Sequence, residues 1–416
     1  MRASLPEQGL ARAAILDHLT ALKRGDIAWA QGRTPLYVFK ADDAVASVAR
    51  EAFIEYFNEN ALGAKRAFPS IKQMEENIVS IGLSLLNAPA DAAGYFTTGG
   101  SESIIGAVKA CRNWSRESRG RRDQRFNMVL PESGHPAFTK AGDLMDIEVR
   151  RVPVGTDFRA DPAAMEAAID AGTILIVGST PCFPYGVVDP IEALSEVALR
   201  RGVWLHVDAC VGGYLAPFVA ALGFDMPRWD FQVRGVCSIS ADLHKFGYCP
   251  KPASTVFYRS ADLARHQVFE YDVWPSGLYS TATVVGTRPG GAAAGAWATL
   301  HHLGREGYLR ITRELMDLVA AYRSGIESIP GLRVNGRPQL SILSFGGDGV
   351  DMLQVGERMR PRGWLPGFIK KPAGMHLMLS LIHKPAREQY VADLRACMDE
   401  VRASRDTDRP AVKVSY

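Results

Sequence analysis

Between about residue 94 and residue 260, short apolar runs alternate with longer amphipathic ones. FNMVLPE (126–132), DIEVRRVPV (146–154), TILIVGST (173–180), GVWLHVDA (202–209), GVCSISA (235–241) and STVFYR (254–259) are rich in β-branched and aromatic residues, and several are apolar throughout. Such runs predict strands buried on both faces. Between them, DPAAMEAAIDAG (161–172) and DPIEALSEVALRRG (189–202) have helical spacing and open on Asp-Pro, which predicts an aspartate N-cap with proline in the first helical position. Strands and helices in alternation make an α/β fold, a mainly parallel sheet covered by helices on both faces.

On either side of this region the rhythm differs. Ser70 opens SIKQMEENIVSIGLSLLN, where Gln73 completes a capping box and Ile71, Met74, Ile78, Ile81 and Leu85 keep one helix face apolar. Residues 1–60 are amphipathic in places and broken at GRTP (32–35), which predicts a helical arm that packs on another surface. Beyond about residue 300 come LRVNG, LSILSFGG, a helix near 350–360, GMHLMLSLI and a last helix from 386, the pattern of a smaller C-terminal α/β domain. The expected division is an arm at 1–60, a large domain at 61–300 and a small domain at 301–416, with the second boundary inside a helix near 292–303.

Composition narrows the function classes. The chain has 416 residues, 47% hydrophobic and 22% charged, as in ordinary globular proteins. A net charge of +3 provides no field that would select nucleic acid or a membrane surface. Arginines between Arg112 and Arg125 are interleaved with Glu117 and Asp123 and read as a solvated helix end and loop. The six cysteines (Cys111, Cys182, Cys210, Cys237, Cys249 and Cys397) form no CxxC pair and no metal spacing with the nine histidines. Buried reduced thiols in a cytoplasmic protein without a metal site are the expectation. No segment approaches the roughly 18 uncharged apolar residues of a membrane span.

Ligands of open α/β sheets collect at the carboxyl ends of strands, so polar groups there are the chemical candidates. TTGGSES (97–103) runs into a helix near Ser101, and its glycines allow backbone N–H groups to approach an anion. The apolar strand at 202–209 ends in His206 and Asp208, and a carboxylate there needs a cation or a donor. His135 follows a Ser-Gly turn in VLPESGHPAF, and Lys245 ends the strand in SISADLHKFGYCPKP (238–252). Each feature alone has an ordinary structural explanation. Together they are the parts that hold pyridoxal 5′-phosphate: a helix start for the phosphate, Asp208 for the ring nitrogen, His135 for the ring face and Lys245 for the covalent link. Partial desolvation of Lys245 would ease the loss of its proton.

GSTPCFPYGVVDP (178–190), HVDACVGGY (206–214), VRGVCSISADLHKFGYCPK (233–251) and VVGTRPGGAAAGAWATL (284–300) resemble the sphingosine-1-phosphate lyase-like enzymes of the group II decarboxylase-like branch of fold type I PLP-dependent enzymes, over roughly residues 70–310 and more faintly to the C-terminus. The resemblance implies an aspartate aminotransferase-like fold, with a mainly parallel large-domain sheet and a smaller C-terminal α/β domain. It implies that Lys245 carries the cofactor, Asp208 pairs with the ring nitrogen and His135 stacks on the ring. Gly100, Ser101, Thr180 and His244 would complete the cofactor site. It also implies a homodimer with shared active sites, in which Gly286 and Thr287 reach the partner's cofactor phosphate. Lys251 and Arg288 match positions that meet an anionic substrate group, and Tyr37 matches a substrate-side tyrosine; a structural salt bridge is the competing role for Arg288.

The chain departs from its relatives at the substrate end. They read close to Asn-Pro-Leu-His-Pro-Asp before Phe-Pro-Ser, whereas this chain has NALGAKRAFPS (60–70), without the histidine and with one residue more. Lys65 and Arg66 are either a replacement anion contact or solvated surface charges. GRTPLY (32–37) is also altered, and Pro252 stands where the relatives have glycine. The reading is a carbon–carbon lyase (aldehyde-lyase) that cleaves Cα–Cβ of a β-hydroxy amine, a phosphorylated sphingoid-base-like substrate being one class, with Tyr248, Lys251 or a group of the rewritten loop as the base. The alternative is a PLP-dependent amino-acid α-decarboxylase. A non-catalytic scaffold is disfavoured because Lys245, Asp208 and His135 are all present. The expected partner is a small-molecule amine or amino acid, with no nucleic acid and no membrane span.

Overall fold

The computed structural model describes residue 2 and residues 4–118, 120 and 125–404, so residues 119 and 121–124 of the arginine-rich stretch lie outside the described residues. The six anticipated strands and one more, Ala93–Thr97, form one seven-stranded sheet. Its members are β1 (Ala93–Thr97), β2 (Phe126–Pro131), β3 (Ile147–Val152), β4 (Thr173–Ser179), β5 (Trp204–Asp208), β6 (Val236–Ala241) and β7 (Ser254–Tyr258), in the order β1-β7-β6-β5-β4-β2-β3. β2 to β6 pair in parallel, and β7 runs antiparallel to both of its neighbours. Every residue of β2, β4, β5 and β7 is buried, which is why these strands are nearly unbroken apolar runs rather than alternating ones.

Four helices precede or flank the first strands: α1 (Arg12–Leu22), α2 (Asp43–Glu55), α3 (Pro69–Leu85) and α4 (Gly100–Ser118). α1 buries none of its residues, and Ile15, Leu16, Leu19 and Leu22 stay exposed. α2 is capped by Asp42, whose side chain accepts from Val45 N at 2.8 Å. α3 buries Ile71, Met74 and Ile78 as its spacing predicts, but the Ser70 capping box does not form. The helix starts one residue earlier, at Pro69, whose fixed φ and missing N–H suit the first helical position.

The two Asp-Pro starts diverge. Asp161 caps the helix Pro162–Ala167, accepting from Ala163 N at 2.9 Å and Ala164 N at 3.2 Å. Asp189 does not cap the helix Ile191–Arg201. It is fully buried, and its two oxygens accept from Ala160 N and Ser179 N, each at 2.8 Å, tying a distant turn to the end of β4. Burial lifts its carboxyl to about 7.

A 38-residue helix, Gly290–Glu327, packs along α2 and α3 and breaks helical geometry at Gly304, where φ is 53° and ψ −176°. β8 (Phe269–Tyr271) and β9 (Tyr279–Thr281) form an outlying hairpin. After the long helix, β10 (Leu332–Val334), β11 (Ile342–Gly347), β12 (Gly367–Lys370) and β13 (Ala373–Met378) make an antiparallel sheet in the order β10-β11-β13-β12. None of the six cysteines is joined in a disulfide, and five of them are buried. No helix of the described residues is long and apolar enough to cross a membrane.

Candidate active site

Parallel register sets three strand ends side by side, since Ser179 pairs with Asp208 and Asp208 with Ser240. Asp208 is 8% exposed, and its Oδ1 accepts from Cys210 N at 3.1 Å and Ser240 Oγ at 3.4 Å, so donors rather than a cation satisfy it. His206, also on β5, is fully buried with Ser238 Oγ at 2.7 Å and Ser240 Oγ at 3.2 Å from its ring nitrogens. Burial pushes its pKa down to about 4, so its imidazole is neutral. Thr180 N donates to the Asp208 carbonyl at 2.8 Å, and Thr180 Oγ1 is buried with no hydrogen-bond partner among the described residues.

Lys245 lies in the turn that follows β6. Its Nζ is 3.0 Å from Asp242 Oδ2, with His244 Nε2 3.6 Å from the same oxygen. Ser254 Oγ donates to Asp242 Oδ1 at 2.5 Å and lies 2.8 Å from Ser103 Oγ, which is 2.6 Å from Thr97 Oγ1. Burial works against the lysine's charge, but Asp242 together with Cys210 and Asp208 outweighs it and raises the Lys245 pKa. This corrects the expectation of easy proton loss: desolvation acts here on an ion pair, not on a lone amine. α4 starts against the same carboxylate, and a Cβ at Gly100 would stand 2.8 Å from Cys210 Sγ and 2.9 Å from Asp242 Oδ2. Only glycine permits that approach, and it leaves the helix's first N–H groups and its positive end at the site. Ser101, the next residue, is exposed.

His135 sits in the loop after β2, its Nδ1 accepting from Ala137 N at 3.1 Å. Burial lowers its pKa, opposed by the Asp208 charge, and Lys245 and Asp242 also act on the ring, so these groups form one cluster. Phe183 stands edge-on to His135 at 6.4 Å and lies 4.6 Å from His376. Beyond them is a cavity of about 150 Å³ lined in part by Tyr37, Phe183, His376 and Arg360. Tyr37 is half-exposed with φ 80°, and two residues on, Phe39 meets the Phe246 ring at 5.1 Å and Lys251 Nζ at 5.9 Å. Partial burial, then the Lys245 charge, lower the pKa of Lys251. Tyr37 thus shares a cavity with Phe183, which meets the His135 ring, and Lys251 is close enough to Lys245 for the two charges to act on each other.

Tyr248 is buried, with its ring 6.5 Å from Tyr308 and edge-on to Phe246, and burial raises its pKa. Arg288 is bound to Glu75 in an ion pair whose side chains are 11% and 19% exposed, the salt bridge named as its competing role. Gly286 has Tyr279 Oη and Leu62 as its neighbours, and Thr287 Oγ1 accepts from Asn60 Nδ2 at 3.3 Å; the expected contact of both is with a partner's cofactor. They border a cavity of about 490 Å³ whose lining includes Lys65, Glu75 and Arg288.

Two buried acids escaped the motif reading. Asp242 had a signal, an acid ending an apolar strand three residues before the lysine. Glu102 had a weaker one, an acid in the first turn of α4, where it binds Thr98 and the amides of Val284 and Val285.

The cluster fits pyridoxal 5′-phosphate. It offers an amine at Lys245, a carboxylate at Asp208, an open helix start and the unpartnered Thr180 hydroxyl. The sequence profile described as the pyridoxal-dependent decarboxylase conserved domain matches residues 7–345. The chain is 38% identical over 412 residues to a sphingosine-1-phosphate lyase of Oryza sativa subsp. japonica, covering 97% of this chain and 76% of that one. It is 34% identical over 376 residues to a probable L-tyrosine/L-aspartate decarboxylase of Methanothrix thermoacetophila, covering 90% and 92%. The solved structure of the Burkholderia pseudomallei sphingosine-1-phosphate lyase matches with a TM-score of 0.92 at 36% identity, over 97% of this chain and 94% of that one. A Lactobacillus brevis glutamate decarboxylase shares the fold, with a TM-score of 0.82 at 18% identity over 97% of each chain.

Proposed function

We propose, from the premise that the chain belongs to the pyridoxal-dependent decarboxylase family and is a PLP-dependent lyase of its sphingosine-1-phosphate lyase-like branch, that it cleaves the Cα–Cβ bond of a β-hydroxy amine to an aldehyde and a smaller amine. The observation that carries this reading is the near full-length likeness to sphingosine-1-phosphate lyases together with the gathering of Lys245, Asp208 and His135 at one set of strand ends. When bound, the cofactor supplies an electron sink for the bond that breaks.

The chain's own residues divide the remaining work. Lys245 would carry the cofactor, Asp208 would keep a proton on its ring nitrogen, His135 would meet its ring, and Gly100, Ser101, Thr180 and His244 would hold its polar atoms. Lys251 is the favoured base for the β-hydroxyl proton, because partial burial and the Lys245 charge both bring its amine nearer to neutrality at working pH. Tyr37 contacts the substrate. A phosphorylated sphingoid-base-like amine is the substrate class supported by the relatives.

A homodimer with shared sites is part of the proposal. Its support is the exposed apolar face of α1 and the exposed Phe269, Tyr271, Trp274 and Val284 near Gly286 and Thr287. The six cysteines, none in a disulfide, support a cytoplasmic setting. The division into an arm at 1–60, a large domain at 61–300 and a small domain at 301–416 is retained on the same terms.

α-Decarboxylation is the second reading, favoured by the Methanothrix relative and by the rewritten NALGAKRAFPS segment. Purified holoenzyme incubated with phosphorylated long-chain bases, β-hydroxy amino acids and ordinary amino acids, and assayed for aldehyde and CO2, decides between them. Aldehyde without CO2 is expected, and CO2 without aldehyde overturns the lyase reading.

A further inference from the structure

None of these roles uses Asp242, although it is the carboxylate in direct contact with the Lys245 amine. Its side chain is 2% exposed, with Oδ2 3.0 Å from Lys245 Nζ. Its other oxygen is held by Ser254 Oγ at 2.5 Å; that hydroxyl meets Ser103 Oγ, which in turn meets Thr97 Oγ1. Gly100 closes over the carboxylate. Asp242 is therefore fixed in place, and the lysine that pairs with it is fixed too.

The other charged or titratable groups around Lys245 are placed differently. Asp208 and Cys210 come from the end of β5, His135 from the loop after β2, and His244 and Lys251 from the lysine's own turn. From α4, the Glu102 carboxylate is committed to Thr98 and to the amides of Val284 and Val285. Asp208 is committed to Cys210 N and Ser240 Oγ.

We propose that Asp242 is a positioning residue that holds Lys245 as an ammonium ion at a fixed point in the cofactor-free enzyme. The 3.0 Å ion pair as a whole carries no net charge, which is how the buried site accommodates both groups.

The inference takes from the proposed function that Lys245 is the cofactor-bearing residue, and its test does not depend on turnover. Cofactor-free protein is treated with a trace of isotopically labelled acetic anhydride from about pH 7 to about pH 11, and labelling at residue 245 is read by mass spectrometry against surface lysines. In the wild type the midpoint at residue 245 is expected above the ordinary lysine value of about 10.4. In Asp242→Asn, with an unchanged near-UV circular dichroism spectrum, only Asp208 and Cys210 remain to oppose burial, and the midpoint falls by about one unit or more. Residue 245 then labels at least roughly tenfold faster near pH 8, each pKa unit being tenfold in free amine. A wild-type midpoint at or below the ordinary value overturns the proposal, as does an unchanged profile in the folded variant. Should the variant not fold, the wild-type midpoint decides. Either failure leaves Lys245 as cofactor carrier, a role that reductive labelling of the holoenzyme tests separately.

Discussion

Replacing Glu102 by Gln should loosen one of two segments that the proposed function needs in register. Glu102 is 7% exposed; Oε2 accepts from Thr98 N at 2.6 Å and Thr98 Oγ1 at 2.7 Å, and Oε1 accepts from Val284 N at 2.7 Å and Val285 N at 3.3 Å. Thr98 leads into the Gly99–Ser101 helix start, and Val284 and Val285 lead into Gly286 and Thr287. Glutamine has the same size but only one acceptor oxygen, so its NH2 group must face backbone donors on one side. A hydrogen bond to an ionised acceptor contributes about 1.5–3 kcal/mol, so losing the Val284 and Val285 pair, with the longer bond at the low end, removes about 3–4 kcal/mol of local hold. That corresponds to a roughly 10²- to 10³-fold larger open population. Hydrogen exchange of peptides spanning 95–103 and 280–288 should show one of them exchanging faster by about that factor, with weaker cofactor binding in an absorbance titration. Unchanged protection in both segments would refute the linkage.

Three further outcomes follow from the same site. Lys245→Ala should lose the visible cofactor band, and borohydride treatment of the wild-type holoenzyme should place the label on residue 245; label on another residue would sink the PLP assignment. Arg288→Ala strands the Glu75 carboxylate, which burial already biases toward its neutral form, and should cost about 3 kcal/mol in denaturant unfolding; unchanged stability with a raised KM would instead make Arg288 a substrate contact. His206 has a folded pKa of about 4 against an ordinary 6.5, so the unfolded chain binds the extra proton between those values: its contribution is fully present above 6.5 and is lost as pH falls toward 4. The loss is about 3 kcal/mol, so His206→Gln should flatten the stability profile in that window, and parallel profiles would refute a buried neutral imidazole.

Much of this was legible in the chain because it is written locally. A buried parallel strand has to be apolar on both faces, a polar residue at its carboxyl end is conspicuous, and a glycine turn entering a helix exposes unpaired N–H groups wherever it occurs. Hence the strands at 126–132, 173–180 and 202–209, the helix start at 100, and Asp208, His135 and Lys245 as a set all stand in the sequence itself. Tertiary structure decided which buried charge meets which. Asp161 and Asp189 open on the same dipeptide, yet one caps a helix and the other is buried against β4 and a turn some thirty residues away. Tyr248 and Lys251 lie three residues apart, but the chain turns the first into the core and leaves the second within reach of the Lys245 charge. Ser254, backed by Ser103, holds Asp242, and Glu102 holds residues 284 and 285, because β7 lies between β1 and β6 and brings the start of α4 against the turn after β6. Propensity and patterning act over a few residues, whereas the energy of a buried ion depends on partners that only strand order and chain closure bring within reach.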